Sequence, residues 1–122
     1  MNDTTTPNPV TWFEVHSADP DRAKAFYGSV FGWTLDDSMP GYSMIQLGDG
    51  APIRGGIVHS DGAYPNDATF LVQAPVAAAL TDVTAHGGSV VAAQQSTPIG
   101  LTFGYAANPD GCVFGVWCPP AG

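Results

Sequence analysis

Glu14 and His16 are the residues best spaced to do chemistry. They stand two positions apart in TWFEVHS (residues 11–17), a spacing that in a strand puts both on one face with Cα atoms about 7 Å apart, alongside Trp12. In a partly dry cup a carboxyl and an imidazole so placed form an acid–base pair able to pass a proton to and from a bound molecule. The alternative is structural, with Glu14 accepting hydrogen bonds in the cup wall and His16 at its rim. His59 closes a later apolar stretch just before Ser60-Asp61-Gly62. It is either a ligand contact at the mouth or a solvated strand-end residue. His86 stands where a helix should end, and it reads as a cap for exposed carbonyls rather than a catalyst. Near the C-terminus, Val113, Gly115 and Trp117 share a strand face, and Gly115 leaves space beside the indole. Space flanked by Trp12, Phe70 and Trp117 suggests an aromatic-lined pocket, while the same aromatics also suit a filled core.

The elements that must position these groups are legible in chain order. Residues 1–9 are polar, contain proline and lack periodicity, so a frayed tail is expected. Residues 10–17 read as a strand. Asp19 is an N-cap, Pro20 suits the first helical position and Asp21 favours the positive helix end. The helix should run over 20–31 until Gly32 supplies a left-handed stop, with Ala23, Phe26, Tyr27, Val30 and Phe31 as its inward stripe. Strands follow near 33–37, 42–47 and 53–59. The Gly-, Pro-, Asn- and Asp-rich stretch Ser60 to Asp67 is a linker.

The same order then begins again, with a strand at 68–73, an alanine-rich helix at 76–86 stopped by Gly87 and Gly88, and strands near 89–93, 101–106 and 112–118. Asn108-Pro109-Asp110-Gly111 is a hairpin turn between the last two strands. Asp19 to Gly32 matches Ala74 to Gly87 in length, with Pro20 and Pro75 both in second place. The chain is therefore a tandem repeat of one unit. The expected fold class is α+β, two tandem βαβββ modules at about 10–60 and 66–119 in a single domain over 10–119, curving into a cup-shaped half-barrel with the helices outside.

Composition narrows the function classes. The chain has 122 residues, 44% of them hydrophobic and 11% charged, which marks a globular domain large enough for a real core. Three Lys plus Arg against eleven Asp plus Glu give a formal charge of −8, which repels nucleic acid and anionic lipid. MNDTTTPNP offers no basic apolar leader and no run approaches a membrane span, so a cytoplasmic location is expected. Cys112 and Cys118, in one strand and roughly 20 Å apart, cannot bond to each other and read as reduced, buried thiols. Gly48-Asp49-Gly50 and Gly55-Gly56 lack phosphate-loop spacing and read as turn and bulge glycines. Nucleophile-elbow spacing around a serine is absent, as is a third partner for a Cys–His pair.

The run Asp19-Pro20-Asp21-Arg22-Ala23 with Phe26-Tyr27 and Val30-Phe31-Gly32-Trp33, followed far downstream by Asn108-Pro109-Asp110-Gly111, resembles the vicinal oxygen chelate superfamily of glyoxalase I, bleomycin-resistance proteins and extradiol dioxygenases. The likeness covers Val10 to Trp117 and is nearest the small single-domain glyoxalase-like branch. It implies a cup built from paired βαβββ modules, often completed across a dimer. Metal-dependent members hold a divalent ion by His or Gln and Glu, on the first and last strand of each module. Carried across, those places fall at Trp12, Ala68 and Gly115, and the fourth-strand place falls in Arg54-Gly55-Gly56-Ile57-Val58, with His59 only at its end. Three of the four lack a ligand, and Glu14 and His16 alone are too few to enclose a cation. The resemblance thus implies the fold without its metal, and no cofactor is expected.

The expected function is a metal-free glyoxalase-like protein binding a small organic molecule, neutral or cationic, for sequestration or resistance. Trp12, Glu14, His16, His59, Phe70, Gly115 and Trp117 are the candidate contacts. A lyase or isomerase using Glu14 and His16, or a displaced metal site, is the second reading. An interaction module with a filled cup is the third. Exposed strand edges and apolar rims in so short a chain lead us to expect a homodimer.

Overall fold

The structure is a computed structural model, and it describes residues 7–60 and 67–120. Ten elements follow in the expected order: β1 (Val10–Ser17), α1 (Pro20–Phe31), β2 (Thr34–Met39), β3 (Tyr42–Gln46), β4 (Arg54–His59), β5 (Ala68–Gln73), α2 (Val76–Ala85), β6 (Ser89–Ser96), β7 (Thr102–Ala107) and β8 (Val113–Cys118). The βαβββ order thus occurs twice in an α+β chain. The chain divides into two compact units, one of Trp12–Thr69 and one of the residues up to Thr11 together with Phe70 onward. Most of the expected linker (61–66) and most of the expected tail (1–6) lie outside the described residues. No helix among the described residues is long and apolar enough to cross a membrane.

Within the first unit the strand order is β2-β3-β4-β1, with β1 parallel to β4 and the other pairs antiparallel. The second has the same permuted order, β6-β7-β8-β5, with β5 parallel to β8. Local chemistry explains the boundaries. The Asp19 side chain accepts from the Arg22 backbone N–H at 3.3 Å, and Gly32 at φ 72° ends α1 by donating to the Gly28 carbonyl at 3.0 Å. His86 caps α2, its Nδ1 2.9 Å from the Asp82 carbonyl. A carbonyl only accepts, so Nδ1 carries the hydrogen there. The Asn108 carboxamide accepts from Asp110 and Cys112 backbone N–H groups, closing the last hairpin.

Several expectations are corrected. The predicted inward stripe of α1 holds only in part: none of its residues is fully buried, and Phe26, Val30 and Phe31 are among the most exposed apolar side chains. Ala23 and Tyr27 of that stripe take the half-buried side, together with Lys24 and Gly28. At Gly28 a Cβ would lie 3.2 Å from the Trp33 carbonyl, so close approach there selects a small residue. Cys112 is exposed in the loop before β8 rather than buried in a strand, although both thiols are free. β6 extends to Ser96, its register broken twice against β7. Pro9 is held, its carbonyl accepting from Gln73 N–H at 2.9 Å.

The second unit has its core where α2 meets the sheet, with Val76 and Leu80 packed on Ala74, Ala106 and Val116. In the first unit Ile45 and Ile57 are buried at 2% and 1% exposure on the side of α1. Gly55 and Gly56 are neither turn nor bulge glycines. They lie inside β4, buried, where a Cβ on Gly55 would run into the Phe13 ring and one on Gly56 into the Tyr42 ring. Replacing Gly56 by Ala should therefore cost about 1–3 kcal/mol through overpacking. Urea unfolding should show this loss, whereas Gly50→Ala, with open space around it, should stay within about 0.5 kcal/mol of wild type.

Candidate functional site

β1 presents two faces, and its pairing shows which residues share each. Trp12, Glu14 and His16 pair with Arg54, Gly56 and Val58, and Met44 and Tyr42 of β3 pair in turn with Gly56 and Val58. Strand alternation places all of these on one side of the sheet. Phe13, Val15, Gly55, Ile57 and His59 take the other side, with Ser43 and Ile45. α1 covers that second side, because Pro20 and Lys24 enclose a pocket with Ser43, Ile57 and His59.

On the first side a chain of polar contacts runs through the unit. The Trp12 Nε1–H donates to the Tyr42 hydroxyl at 2.7 Å. The hydroxyl is also hydrogen-bonded to Glu14, and a carboxylate can only accept, so the phenol donates to it. Glu14 Oε1 lies 3.0 Å from His16 Nε2. Glu14 and His16 are 5% and 3% exposed, so both ionisable groups are held away from bulk water. The His16 backbone N–H donates to the Asp67 carbonyl at 2.8 Å, tying the end of β1.

Burial, and then the nearby Glu14 charge, push the Tyr42 phenol far above its ordinary value, although the indole N–H works against the shift. Its ring fits only because Gly56 has no Cβ. Tyr42 and Gly56 are the two members of the network that reading the sequence missed. Two successive glycines inside an otherwise apolar strand are the signal, since such glycines mark a close approach by another group.

The remaining candidates lie elsewhere. His59 is exposed and belongs to the side covered by α1, opposite Glu14 and His16. It lines a pocket of about 310 Å3 with Lys24, Asp37 and Ser43. There Lys24 Nζ is 3.2 Å from both Asp21 and Asp37, and the hydrogen bond from Ser43 followed by that from Lys24 holds the Asp37 carboxyl below its ordinary range.

In the second unit Gly115 is buried and faces Leu71 and Tyr105. A Cβ there would stand 2.6 Å from Leu71 Cγ, so a side chain already fills the space that the sequence suggested was open. Trp117 shares this face, and its indole N–H donates to Thr11 Oγ1 at 3.0 Å, which donates to Gln73 Oε1 at 3.2 Å. Phe70 is one residue out of phase with Leu71, hence on the α2 side, where it stacks on Phe114 at 5.9 Å and 9°. Thus Trp12, Glu14 and His16 come together, Gly115 and Trp117 come together, and Phe70 and His59 take the helix-covered sides of their respective units.

A divalent metal fits these residues poorly. The Trp12 indole nitrogen is a donor already used, Leu71 occupies the space at Gly115, and no group of three or more His, Cys, Asp or Glu side chains among the described residues could hold an ion. No chemical step is therefore drawn through a metal.

Comparison with known proteins agrees with the architecture. Residues 10–48 match the family model for the bleomycin resistance protein-like N-terminal region. The candidate glyoxylase CFP32 of Mycobacterium bovis and that of Mycobacterium tuberculosis are each 30% identical over 122 aligned positions, covering 92% of this chain and 45% of the relative. The chain thus spans less than half the length of the curated relatives it matches. Among solved structures, a variant of Streptomyces coelicolor methylmalonyl-CoA epimerase in complex with 2-nitronate-propionyl-CoA superposes with a TM-score of 0.64 at 14% identity, covering 93% of this chain and 96% of that one. A glyoxalase/bleomycin resistance protein/dioxygenase superfamily member from Vibrio splendidus gives 0.61 at 15% identity, covering 92% and 99%.

The Tyr42 shift has a testable sign. A phenol whose folded pKa is raised contributes stability that is intact below the unfolded value of about 10 and is lost as pH rises above it, because only the unfolded chain then releases the proton. Wild type should therefore lose stability between pH 10 and pH 11.5 faster than Tyr42→Phe. At pH 7 the variant should be less stable by about 1–3 kcal/mol, for the hydrogen bonds from the indole and to the carboxylate that it removes. Denaturant melts across pH measure both.

Proposed function

We propose that the chain is a glyoxalase-like protein of the vicinal oxygen chelate superfamily that binds a small organic molecule on the β1 face of its first unit without a metal. The observation that carries the reading is the buried Trp12–Tyr42–Glu14–His16 chain. Burying a carboxylate and an imidazole is costly unless both are hydrogen-bonded, and here the groups are arranged as a fixed polar strip on an otherwise apolar strand face. Trp12 and Tyr42 are half-buried, so they supply the contact surface while Glu14 and His16 stand behind them and set its polarity. The excess of acid favours a neutral or cationic ligand. Free cysteines suit the cytoplasmic location that goes with this reading.

A second reading stays open because of the 3.0 Å Glu14–His16 contact. It is a lyase or isomerase in which that pair moves a proton on a carbonyl substrate, in keeping with a relative named a glyoxylase and a fold neighbour named an epimerase.

A thermal-shift screen of neutral and cationic metabolites and antibiotics separates the two. Binding to the native state raises the melting temperature, and at least one compound class should do so. Glu14→Gln, which keeps the shape and removes the charge, should weaken that binding about tenfold, equivalent to about 1.4 kcal/mol, with an unchanged circular dichroism spectrum. Zinc, nickel or manganese should leave the melting temperature where it was. Turnover of a 2-oxoaldehyde–thiol adduct that Glu14→Gln abolishes would establish the enzyme instead. A metal-induced rise in melting temperature would overturn the metal-free reading.

A further inference from the structure

The chain has three cations, Arg22, Lys24 and Arg54. Arg22 and Lys24 lie on α1, and Lys24 is held between Asp21 and Asp37. Arg54 alone lies in the sheet, at the start of β4. It is exposed, and its guanidinium meets no hydrogen-bond or ion-pair partner among the described residues. The N–H donors of its planar fork are thus left to water or to a molecule from outside. Strand register fixes where that fork starts. Arg54 is the Cα partner of Trp12, and the next pair on the same side is Glu14 with Gly56. Neighbouring strands lie about 4.8 Å apart and two residues of a strand span about 6.8 Å, which puts the Arg54 Cα one strand from Trp12 and about 8 Å from the Glu14 Cα. Gln46, also exposed, takes the same side of β3 as Met44 and Tyr42. All of these residues belong to the first unit.

The other donors named on this side are engaged within it. The Trp12 indole N–H goes to the Tyr42 hydroxyl, that hydroxyl donates to Glu14, and Glu14 Oε1 is in contact with His16 Nε2. A molecule lying over Trp12, Tyr42, Met44 and Val58, each half-buried, meets mainly apolar surface until it reaches Arg54 and Gln46, whose side-chain N–H groups can serve an acceptor. An oxygen acceptor is what this open end selects, and Glu14 decides its charge. A carboxylate on the ligand would be drawn towards the Glu14 carboxylate in a chain whose formal charge is already −8, whereas a neutral carbonyl accepts the charge-assisted hydrogen bond without that repulsion. We propose that Arg54 is a specificity-determining residue of the β1 face and selects a neutral carbonyl compound, with the carbonyl oxygen on the guanidinium fork and the apolar body over Trp12 and Tyr42. This role of Arg54 rests on the β1 face being the binding surface, and it adds the group that orients a ligand there.

Three probes with one ring test this: benzamide, a neutral carbonyl; benzoate, an anion; and benzylamine, a cation without a carbonyl. Each is titrated into the isotope-labelled full chain and read by nuclear magnetic resonance at the indole N–H signal assigned to Trp12. Benzamide should move that signal and bind more tightly than benzoate. Arg54→Met keeps the apolar stem and removes the fork, so it should weaken benzamide about fivefold or more and leave benzylamine unchanged. The circular dichroism spectrum should stay that of wild type because Arg54 is exposed. If it does not, Arg54→Thr, a strand-favouring change, takes the place of the methionine variant. Benzamide binding that survives loss of the fork, or tighter binding of benzoate, overturns the role of Arg54 and leaves the binding surface standing. A Trp12 signal that none of the three probes moves at up to about 20 mM overturns both.

Discussion

The absence of a side chain at Gly56 is the constraint on which the first unit's polar face depends. With no Cβ at Gly56, the Tyr42 ring packs closely against β4 and its hydroxyl accepts from Trp12 and donates to Glu14. Any other residue there displaces the ring. The indole N–H and the carboxylate would then lose the hydroxyl that bridges them, while Glu14 kept its contact with His16. The neighbouring Gly55 does the same service for Phe13 on the opposite side of the sheet. One strand with two successive glycines thus admits an aromatic ring on each face, which is uncommon because glycine normally weakens a strand.

The second unit uses the same device to a different end. Gly115 in β8 is also crowded, but the group that enters is the aliphatic Leu71, with Tyr105 beside it. No buried acid or imidazole follows. The indole of Trp117 instead finds a neutral hydroxyl, Thr11, backed by Gln73. Two modules with one topology and one strand order have therefore diverged in the polarity of corresponding faces, since a tyrosine and a leucine fill equivalent space with unlike chemistry. A charged network survives in low dielectric only where each member is hydrogen-bonded, and the first unit alone supplies that set among the described residues.

Much of the fold was legible because its signals are local. Asp19-Pro20 starts α1, Gly32 stops it, and the Asn108 side chain folds the last hairpin, each through contacts within a few residues. Facing was less legible. Periodicity revealed that α1 has apolar residues at helical spacing, but which side turns inward depends on contacts with other elements, such as that of Lys24 with Asp37 of β2. His59 and Phe70 followed from strand register for the same reason: one step along a strand changes sides. Glu14 and His16 were found together because a two-residue spacing in a strand needs no partner to interpret. Tyr42 was not, since its membership depends on a glycine in a different strand.

β1 is divided in its allegiance, and this bears on the order in which the chain acquires structure. Pro9 and Thr11 are bonded within the second unit, to Gln73 and Trp117, across sequence separations of 62 for Thr11 to Gln73 and 106 for Trp117 to Thr11. The next residue, Trp12, belongs to the first unit. During synthesis the first unit has all of its strands once Thr69 has emerged, yet the Thr11 hydroxyl just before it waits for Trp117 of β8. Closing so long a loop is entropically slow. The second unit therefore matures after the first, drawing contacts for Gln73 and Trp117 from residues that precede Trp12 in the chain.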